Sequence, residues 1–457
     1  MNPPQPLRLS LALAVCLAGA GQPGFAEPSY DDLSESLEPA AAPITAQELD
    51  ELTARVLESL RRIRGLEAQR PIRKALVSQR DSHAAIERMI RADHPEETIN
   101  REAKTLIKLG LLPPDTDLTS SVTQLYAHQA VGFYDAHTQV LYVADWLPAM
   151  MQEGVLSHEL VHALQDQRIP LLQWLTAGVG EDDAVLARQA IMEGEATALM
   201  LETALDGSGM SFDDLQSLDP ATLTQMATQT LAADAQTASL PPYLGALMTF
   251  PYVDGLAFFK ALRATHSWSF MSQVYAQPPE STEQIIHPDA YFQRKDHPTP
   301  VALPDLERIL GASWKRIDEN ILGEFTWRTL FQVRLGGTGL GAASTGWDGD
   351  RYQFFEDTGG AHRVLVIRTV WDTPADAREF AEAYRLVIEG KYRSPRLIEA
   401  ADSVWWWRTE EDDVLLQVRG EEVWISEGAP AALTVSLRET IRREPALRPA
   451  DAGVRRD

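Results

Sequence analysis

The sequence predicts an α+β protein, with a mainly helical larger part carrying a small sheet and a small α+β part at the C-terminus. Three observations carry this. Apolar residues recur at 3–4 spacing from Ile44 to about Leu112, the period of a helix face. Between Gln129 and Trp146 the pattern changes to alternation, the period of a strand. Beyond Arg334 the order becomes strand, helix, three strands, helix.

The elements follow in chain order. "AQELDELTARVLESLRRIRGL" places Leu49, Leu52, Val56, Leu60 and Ile63 on one helix face. "PEETINREAKTLIKLGLL" is a second amphipathic helix, stopped by Gly110 and the Pro113–Pro114 pair. "QAVGFYDAHTQVLYVADW" reads as two strands joined by a turn at Asp135–Thr138. A helix is expected from about Pro148 to Gln167, ended by Pro170, and a long one from about Asp182 to Leu205. "DGLAFFKALRAT" is another helix, and "QPPESTEQIIHPDAYF" (Gln277 to Phe292) is irregular. "RLGGTGLGAASTGWDGDRY" reads as a linker or turn cluster. It lacks the Gly-Lys-Ser/Thr ending of a phosphate loop. Next come "RVLVIRTVW" as strand, "PADAREFAEAYRLVIEG" as helix, "SVWWWRT", "DVLLQVRG" and "EEVWISEG" as strands, and "AALTVSLRETIR" as helix. The expected organisation is a signal peptide (1–26), a flexible leader (27–43), a helical region (44–115), a larger domain (116–330), a Gly-rich linker (331–345), an α+β accessory domain (346–445) and a tail (446–457).

Charge and the N-terminus narrow the functional classes. A formal net charge of -25 repels phosphate backbones, so nucleic acid is not an expected partner. Arg8, the apolar run Leu9 to Ala20 and the small residues Gly24 and Ala26 before Glu27 read as an export signal. That places the protein in a bacterial periplasm or outside the cell. No later run is long and apolar enough to be expected to span a membrane. The single cysteine, Cys16, lies inside this signal, so the processed chain has no disulfide. Cys16 in "LAVC" is also a candidate lipid anchor, though Val15 suits that processing poorly. No residue pattern fixes an oligomeric state.

The chemistry is concentrated in "VLSHELVHALQDQ" (Val155 to Gln167). On a helix, residues i and i+4 share a face, so His158 and His162 reach one metal ion through ring nitrogens. Glu159, one residue along and rotated by about 100°, is placed as a general base toward water acidified by that metal. With ten histidines, an HExxH spacing arises by chance in about a few per cent of such chains. Three features argue against chance here. Val155, Val161 and Leu164 make the motif's surroundings apolar, and an alternating strand pair precedes it. A sheet edge there can bind an extended peptide. Thirdly, "RQAIMEGEATALMLE" holds Glu193 and Glu195 in an otherwise apolar helix, where carboxylates need a partner or a metal. Either would complete a two-His, one-Glu set with a fourth position open. On a straight helix Glu193 shares a face with Ala190 and Thr197, and Glu195 points about 200° away.

"HELVH" followed by "EGEA" resembles the gluzincin metallopeptidases, among them thermolysin-like and aminopeptidase N-like enzymes. The stretch through "STEQIIHP" is similar to a poorly described bacterial group of predicted exported zinc peptidases, over about Ile44 to Phe292. The resemblance implies a zincin-like domain, one catalytic Zn2+, and a peptide or protein substrate. It implies His158, His162 and Glu193 as ligands, Glu193 because it directly precedes the glycine, with Glu195 as the alternative or as an acid orienting a histidine. Thr197 stands where thermolysin-like enzymes carry an Asp, and the His162-to-Glu193 spacing is longer than theirs. No "GAMEN"-type motif is present, so endopeptidase rather than exopeptidase activity is expected.

An oxyanion stabiliser is also needed. His287 and Tyr291 in "IIHPDAY", Tyr252 in "FPYVDG" and Tyr134 in "GFYD" are candidates, each with an ordinary packing or turn role as the alternative. Asp166 is a candidate partner for His162 or equally a solvated helix acid, and Asp254 a helix cap or, less in favour, an acid supporting a ligand. "VWWWR" puts Trp405 and Trp407 on one strand face and Trp406 on the other, for core packing with Trp347, Trp371 and Trp424 or for an exposed aromatic surface. The function expected is hydrolysis of peptide bonds by water activated at a zinc ion. The rival is a catalytically silent peptide- or envelope-binding protein on the same scaffold.

Overall fold

A computed structural model describes residues 44–447 apart from 94, 130, 147, 148, 178–180, 207–239, 337–339 and 402. The expected signal, leader, Cys16 and most of the tail fall outside the described residues. The helical part opens with α1 (Ala46–Arg64), β1 (Arg73–Val77), α2 (Gln79–Asp93), α3 (Glu96–Leu109) and α4 (Leu118–Gln129). Thr45 and Glu48 start α1 by a reciprocal capping box, and Gly65 at φ 73° stops it. Its buried face is Leu49, Leu52, Val56 and Leu60, as the periodicity requires. Strand β1 lies in a span read from the sequence as wholly helical. Five residues with a parallel partner more than sixty positions away leave no local signature.

That partner is β3 (Val140–Ala144), which also pairs antiparallel with β2 (Gly132–Asp135), giving the order β1-β3-β2. Asp135 tightens the hairpin by accepting from the His137 N–H (2.8 Å) and the Thr138 hydroxyl (2.6 Å). The chain continues through α5 (Ala149–Asp166), α6 (Leu171–Thr176), α7 (Asp182–Leu205) and α8 (Pro242–Thr265). Helix α8 starts well before the predicted "DGLAFFKALRAT" and absorbs Pro251. Asp254 therefore sits inside a helix and not at its cap. It pairs with Arg328 at 3.0 Å. Helices α7 and α8 cross at Gly194 and Gly255. A Cβ on Gly194 would lie 2.6–2.8 Å from Gly255 backbone atoms, and one on Gly255 would lie 2.3 Å from the Ala190 carbonyl oxygen. No side chain fits between them.

Short helices α9 (Met271–Ala276), α10 (Glu283–Ile286) and α11 (Leu306–Leu310) lead to β4 (Trp314–Asn320) and α12 (Gly323–Leu335). The C-terminal part adds β5 (Trp347–Asp357), β6 (Arg363–Trp371), α13 (Pro374–Lys391), β7 (Arg396–Ala401), β8 (Val404–Thr409), β9 (Asp412–Arg419), β10 (Glu422–Ala429) and α14 (Ala431–Arg443). The strands form one antiparallel sheet in the order β4-β5-β6-β10-β9-β8-β7. Strands β4, β5 and β7 escaped the sequence reading. The stretch expected as a Gly-rich linker (331–345) carries the end of α12 and a 3-10 turn at Leu340–Ser344, and β5 begins directly after it. Gly349 is required in β5, because a Cβ there would meet the Thr299 carbonyl oxygen at 2.3 Å.

Trp347, Trp371, Trp407 and Trp424 are buried, and Trp405 and Trp406 pack partly buried against two different apolar clusters, one on each sheet face. The tryptophans are therefore core, not a binding surface. One apolar cluster runs from Ile44 to Ile425 and so joins the helices to the sheet. At that junction Asp350, 1% exposed, accepts from Leu322 N–H (2.7 Å), Gly323 N–H (3.0 Å) and the indoles of Trp327 (3.0 Å) and Trp347 (2.8 Å). Asp350→Ala strands four donors and is expected to lower unfolding stability by about 3 kcal/mol or more, read as a fall in the urea midpoint. Among the described residues no helix is long and apolar enough to cross a membrane.

Candidate metal centre

Helix α5 is buried on nearly every side, between β2 and β3, α1 and α7. A helix so enclosed needs apolar residues all round, and Val155, Leu156, Leu160, Val161, Ala163 and Leu164 supply them. Polar residues are buried on it too, Gln152, Ser157 and Gln165 among them, and His158, Glu159 and His162 are 0–1% exposed. Gly132 lets β2 lie directly on α5, since a Cβ there would fall 2.5 Å from Val155 Cγ1.

The one-turn spacing brings His158 Nε2 and His162 Nε2 to 3.0 Å of each other. Glu193, on α7, turns Oε2 toward both, at 3.1 Å from His158 Nε2 and 3.4 Å from His162 Nε2. These three atoms are close enough that one point lies about 2.0–2.1 Å from all of them, the usual reach of zinc to nitrogen and oxygen. The other Glu193 oxygen, Oε1, is buried with no hydrogen-bond partner. The donor set, two imidazoles and a carboxylate with an unused oxygen, fits a single transition-metal ion. Glu159 also brings an oxygen within 4.8 Å of both ring nitrogens. Its Oε2, however, is held by the Tyr134 N–H of β2 at 2.8 Å. So Glu193 is the carboxylate facing the rings, and Glu159 is anchored beside them from the sheet.

Burial and the facing carboxylates pull the ring nitrogens in opposite directions. Burial opposes a charge on His162, but the Glu193 carboxylate, with Glu159 behind it, outweighs burial and lifts it to about 9. Burial also opposes charge on Glu193, yet the facing histidines hold its carboxyl below the usual range. Burial keeps His158 low.

Glu195 faces away. It accepts from Arg64 Nε at 2.8 Å, from Gln165 Nε2 at 3.0 Å and from the Tyr275 hydroxyl. The two acids of "EGEA" thus answer the cost of burial differently, Glu195 by pairing with a guanidinium and Glu193 by facing two imidazoles. Gln165 links the two sets: its Oε1 accepts from His162 Nδ1 at 2.9 Å, and its amide donates to Glu195 and to the Met192 carbonyl. That fixes the His162 tautomer with Nε2 directed at Glu193. From the sequence, Asp166 is a candidate for this task, with a solvated helix acid as the equal alternative. Instead Asp166 accepts from the Tyr134 hydroxyl (2.8 Å), Gln139 (3.0 Å) and the Leu171 N–H (3.2 Å). Gln165 lies three residues after His162, a spacing that signals contact on a helix. Arg64 and Tyr275 come from distant segments and leave no such mark.

Of the oxyanion candidates, Tyr252 is the one whose ring rests on a site residue, stacked on His158 at 5.9 Å between centroids. The Gly194–Gly255 crossing holds it there. Tyr134 contributes its backbone N–H to Glu159 while its hydroxyl bonds Asp166. His287 pairs with Glu324 at 3.0 Å, and Tyr291 donates to the Gln277 carbonyl at 2.6 Å. Both are engaged away from the His158 and His162 rings, which agrees with their turn and packing alternatives.

Comparison with known proteins reaches only a C-terminal span of the chain, less than a third of its length. Residues 308–437 match a family model described as a domain of unknown function (DUF8575), a span covering β4 to β10 and the helices around them. The four residues of the candidate centre lie outside it. No curated protein and no solved structure matches the chain.

Proposed function

We propose that the chain is an exported zinc-dependent peptidase of zincin-like, gluzincin type, with His158, His162 and Glu193 as ligands and Glu159 as general base. The observation that carries this reading is the convergence of two imidazole nitrogens and one carboxylate oxygen within 3.0–3.4 Å, beside a second carboxylate fixed by the sheet. Bound zinc supplies a Lewis acid that acidifies water and polarises a carbonyl. Glu159 takes the proton from the attacking water and returns it to the leaving amine, so that amide cleavage ends in a carboxylate and an amine. The Tyr134 N–H keeps the Glu159 carboxylate oriented. Gln165, with Glu195 and Arg64 behind it, holds the His162 ring in place.

A second reading has one observation in its favour. His158, Glu159, His162 and Glu193 are at most 1% exposed, and two clefts among the described residues, one lined by Arg70, Tyr134 and Gln167 and the other by Glu102, Asp182 and Tyr243, contain none of them. A closed centre suits a structural metal in a peptide- or envelope-binding protein. A buried carboxylate base has no task in such a site, and Glu159 therefore favours the peptidase.

Metal content and competition against a chelating dye test the ligand set. One zinc per chain is expected in the wild type and none in His158→Ala. Gln165→Leu, with every ligand intact, should bind zinc about 10–100-fold more weakly. A wild-type chain that takes up no zinc disproves the proposal. Gln165→Leu binding as tightly as wild type removes Gln165 from the positioning role.

A further inference from the structure

A second group of potential ligands lies in the irregular segment singled out by "STEQIIHPDAY". Glu283 on α10, Asp296 just beyond the π-helical turn Ala290–Arg294, and Asp372 at the end of β6 bring one carboxylate oxygen each within 4.8 Å of one another. An acidic cluster alone means little, since exposed acids gather without ligands. Here the innermost member is different. Glu283 is 2% exposed, and its carboxylate has no hydrogen bond or ion pair among the described residues. A buried acid in that condition is costly whether charged or protonated, because even the protonated form needs an acceptor.

The surroundings deepen the deficit of positive charge. Glu324 is 1% exposed. Its Oε1 meets His287, while its Oε2 is buried without a hydrogen-bond partner. Its charge bears on both Glu283 and Asp372. Arg294 reaches Asp296 at 3.1 Å but is spent partly on Asp289. Burial, joined by Glu324, Asp296 and Asp372, pushes the Glu283 carboxyl up to about 10, and burial with Asp296 pushes Asp372 to about 6. Several carboxylates from separate elements thus face one place, and among the described residues Arg294 and His287 balance only part of their charge.

We propose that Glu283, Asp296 and Asp372 form a calcium site that ties the segment after α9 to the end of β6. All the donors are carboxylate oxygens, which select hard cations over zinc. Three carboxylate oxygens within 4.8 Å of one another lie in reach of one calcium ion, with its calcium–oxygen lengths of about 2.3–2.6 Å, and calcium tolerates the irregular geometry of donors drawn from separate elements better than the octahedral magnesium ion does. Asp372 is exposed and Asp296 half-buried, so the outer side of the ion keeps water. This site stands apart from the His158 centre and does not depend on it.

The test uses the full chain, stripped with chelator and dialysed, then titrated with calcium chloride by calorimetry and followed by thermal unfolding. One saturable calcium per chain is expected, with a Kd of about 10⁻⁴ M or tighter, together with a raised melting temperature. Asp372→Asn, a change at an exposed side chain, should weaken binding about tenfold or more, and Asp296→Asn likewise. Glu283→Gln should abolish it. His158→Ala should keep the full calcium response, which separates this site from the zinc centre. No saturable binding up to about 1 mM calcium, or equal binding by wild type, Asp372→Asn and Asp296→Asn, overturns the proposal.

Discussion

Glu159→Gln should leave zinc binding at the wild-type level and lower peptide hydrolysis by about 10²–10⁴-fold, the usual contribution of a positioned general base. The substitution is nearly isosteric. Its amide oxygen can still accept the Tyr134 N–H that Oε2 accepts at 2.8 Å, so strand β2 and helix α5 keep their contact. What is lost is basicity alone. A second readout separates a catalytic role from a structural one. Glu159 is 0% exposed, and a buried ionised carboxylate is costly to hold. Removing its charge should therefore leave the melting temperature unchanged or raise it, the pattern of a residue kept for function at some cost in stability. The measurement is turnover on an unstructured protein substrate, with zinc content and thermal unfolding on the same samples. Wild-type turnover in the variant would sink the assigned role of Glu159. A zinc-loaded wild type inert toward a broad peptide library would instead favour the silent-scaffold reading.

Much of this centre was legible in the sequence because it is local. His158, Glu159 and His162 lie within one helical turn and a half, where spacing alone fixes which side chains meet. The hairpin before them is marked by alternation and by Asp135 at its turn. Helix α7 was bounded at both ends by its apolar run. Its two acids stood out because burial forbids a lone carboxylate, but choosing between them requires knowing what faces each side. Arg64 takes up Glu195 from a helix far upstream, and nothing in the sequence announces that. The failures share one cause. Strand β1 pairs with a parallel partner far along the chain, and β4, β5 and β7 are recognised through their neighbours rather than their own pattern. Strand β5 was hidden by glycines that read as a linker. Their purpose, at Gly349, is room for the Thr299 carbonyl. Asp166 and Asp254 were misplaced for the same reason, since their partners Tyr134 and Arg328 come from other segments.

Gly194→Ala is expected to be the most damaging small substitution at the centre. Alanine raises helix propensity by about 1 kcal/mol over glycine, so at an unobstructed helical position the change would stabilise. Gly245, on α8 with nothing within 4 Å of its would-be Cβ, is such a position, and Gly245→Ala should be neutral or stabilising. At Gly194 the added carbon would sit 2.6–2.8 Å from three backbone atoms of Gly255, none of which can rotate away. Helices α7 and α8 must then separate. The overpacking is expected to exceed the propensity gain and leave a net loss of about 1–3 kcal/mol or more. The consequence also reaches the chemistry. Glu193 directly precedes Gly194, and Tyr252 is stacked on His158 from α8, so parting the helices shifts a ligand and uncovers an imidazole. Zinc affinity should fall together with stability in Gly194→Ala, and also in Gly255→Ala, whose Cβ would meet the Ala190 carbonyl oxygen at 2.3 Å. Chemical denaturation and zinc competition on the three alanine variants decide the matter. If Gly194→Ala is as stable as Gly245→Ala, the helices do not cross as closely as Gly194 and Gly255 require. If instead it loses stability but binds zinc as tightly as wild type, Glu193 is held by something other than the crossing, and its place among the ligands needs another explanation.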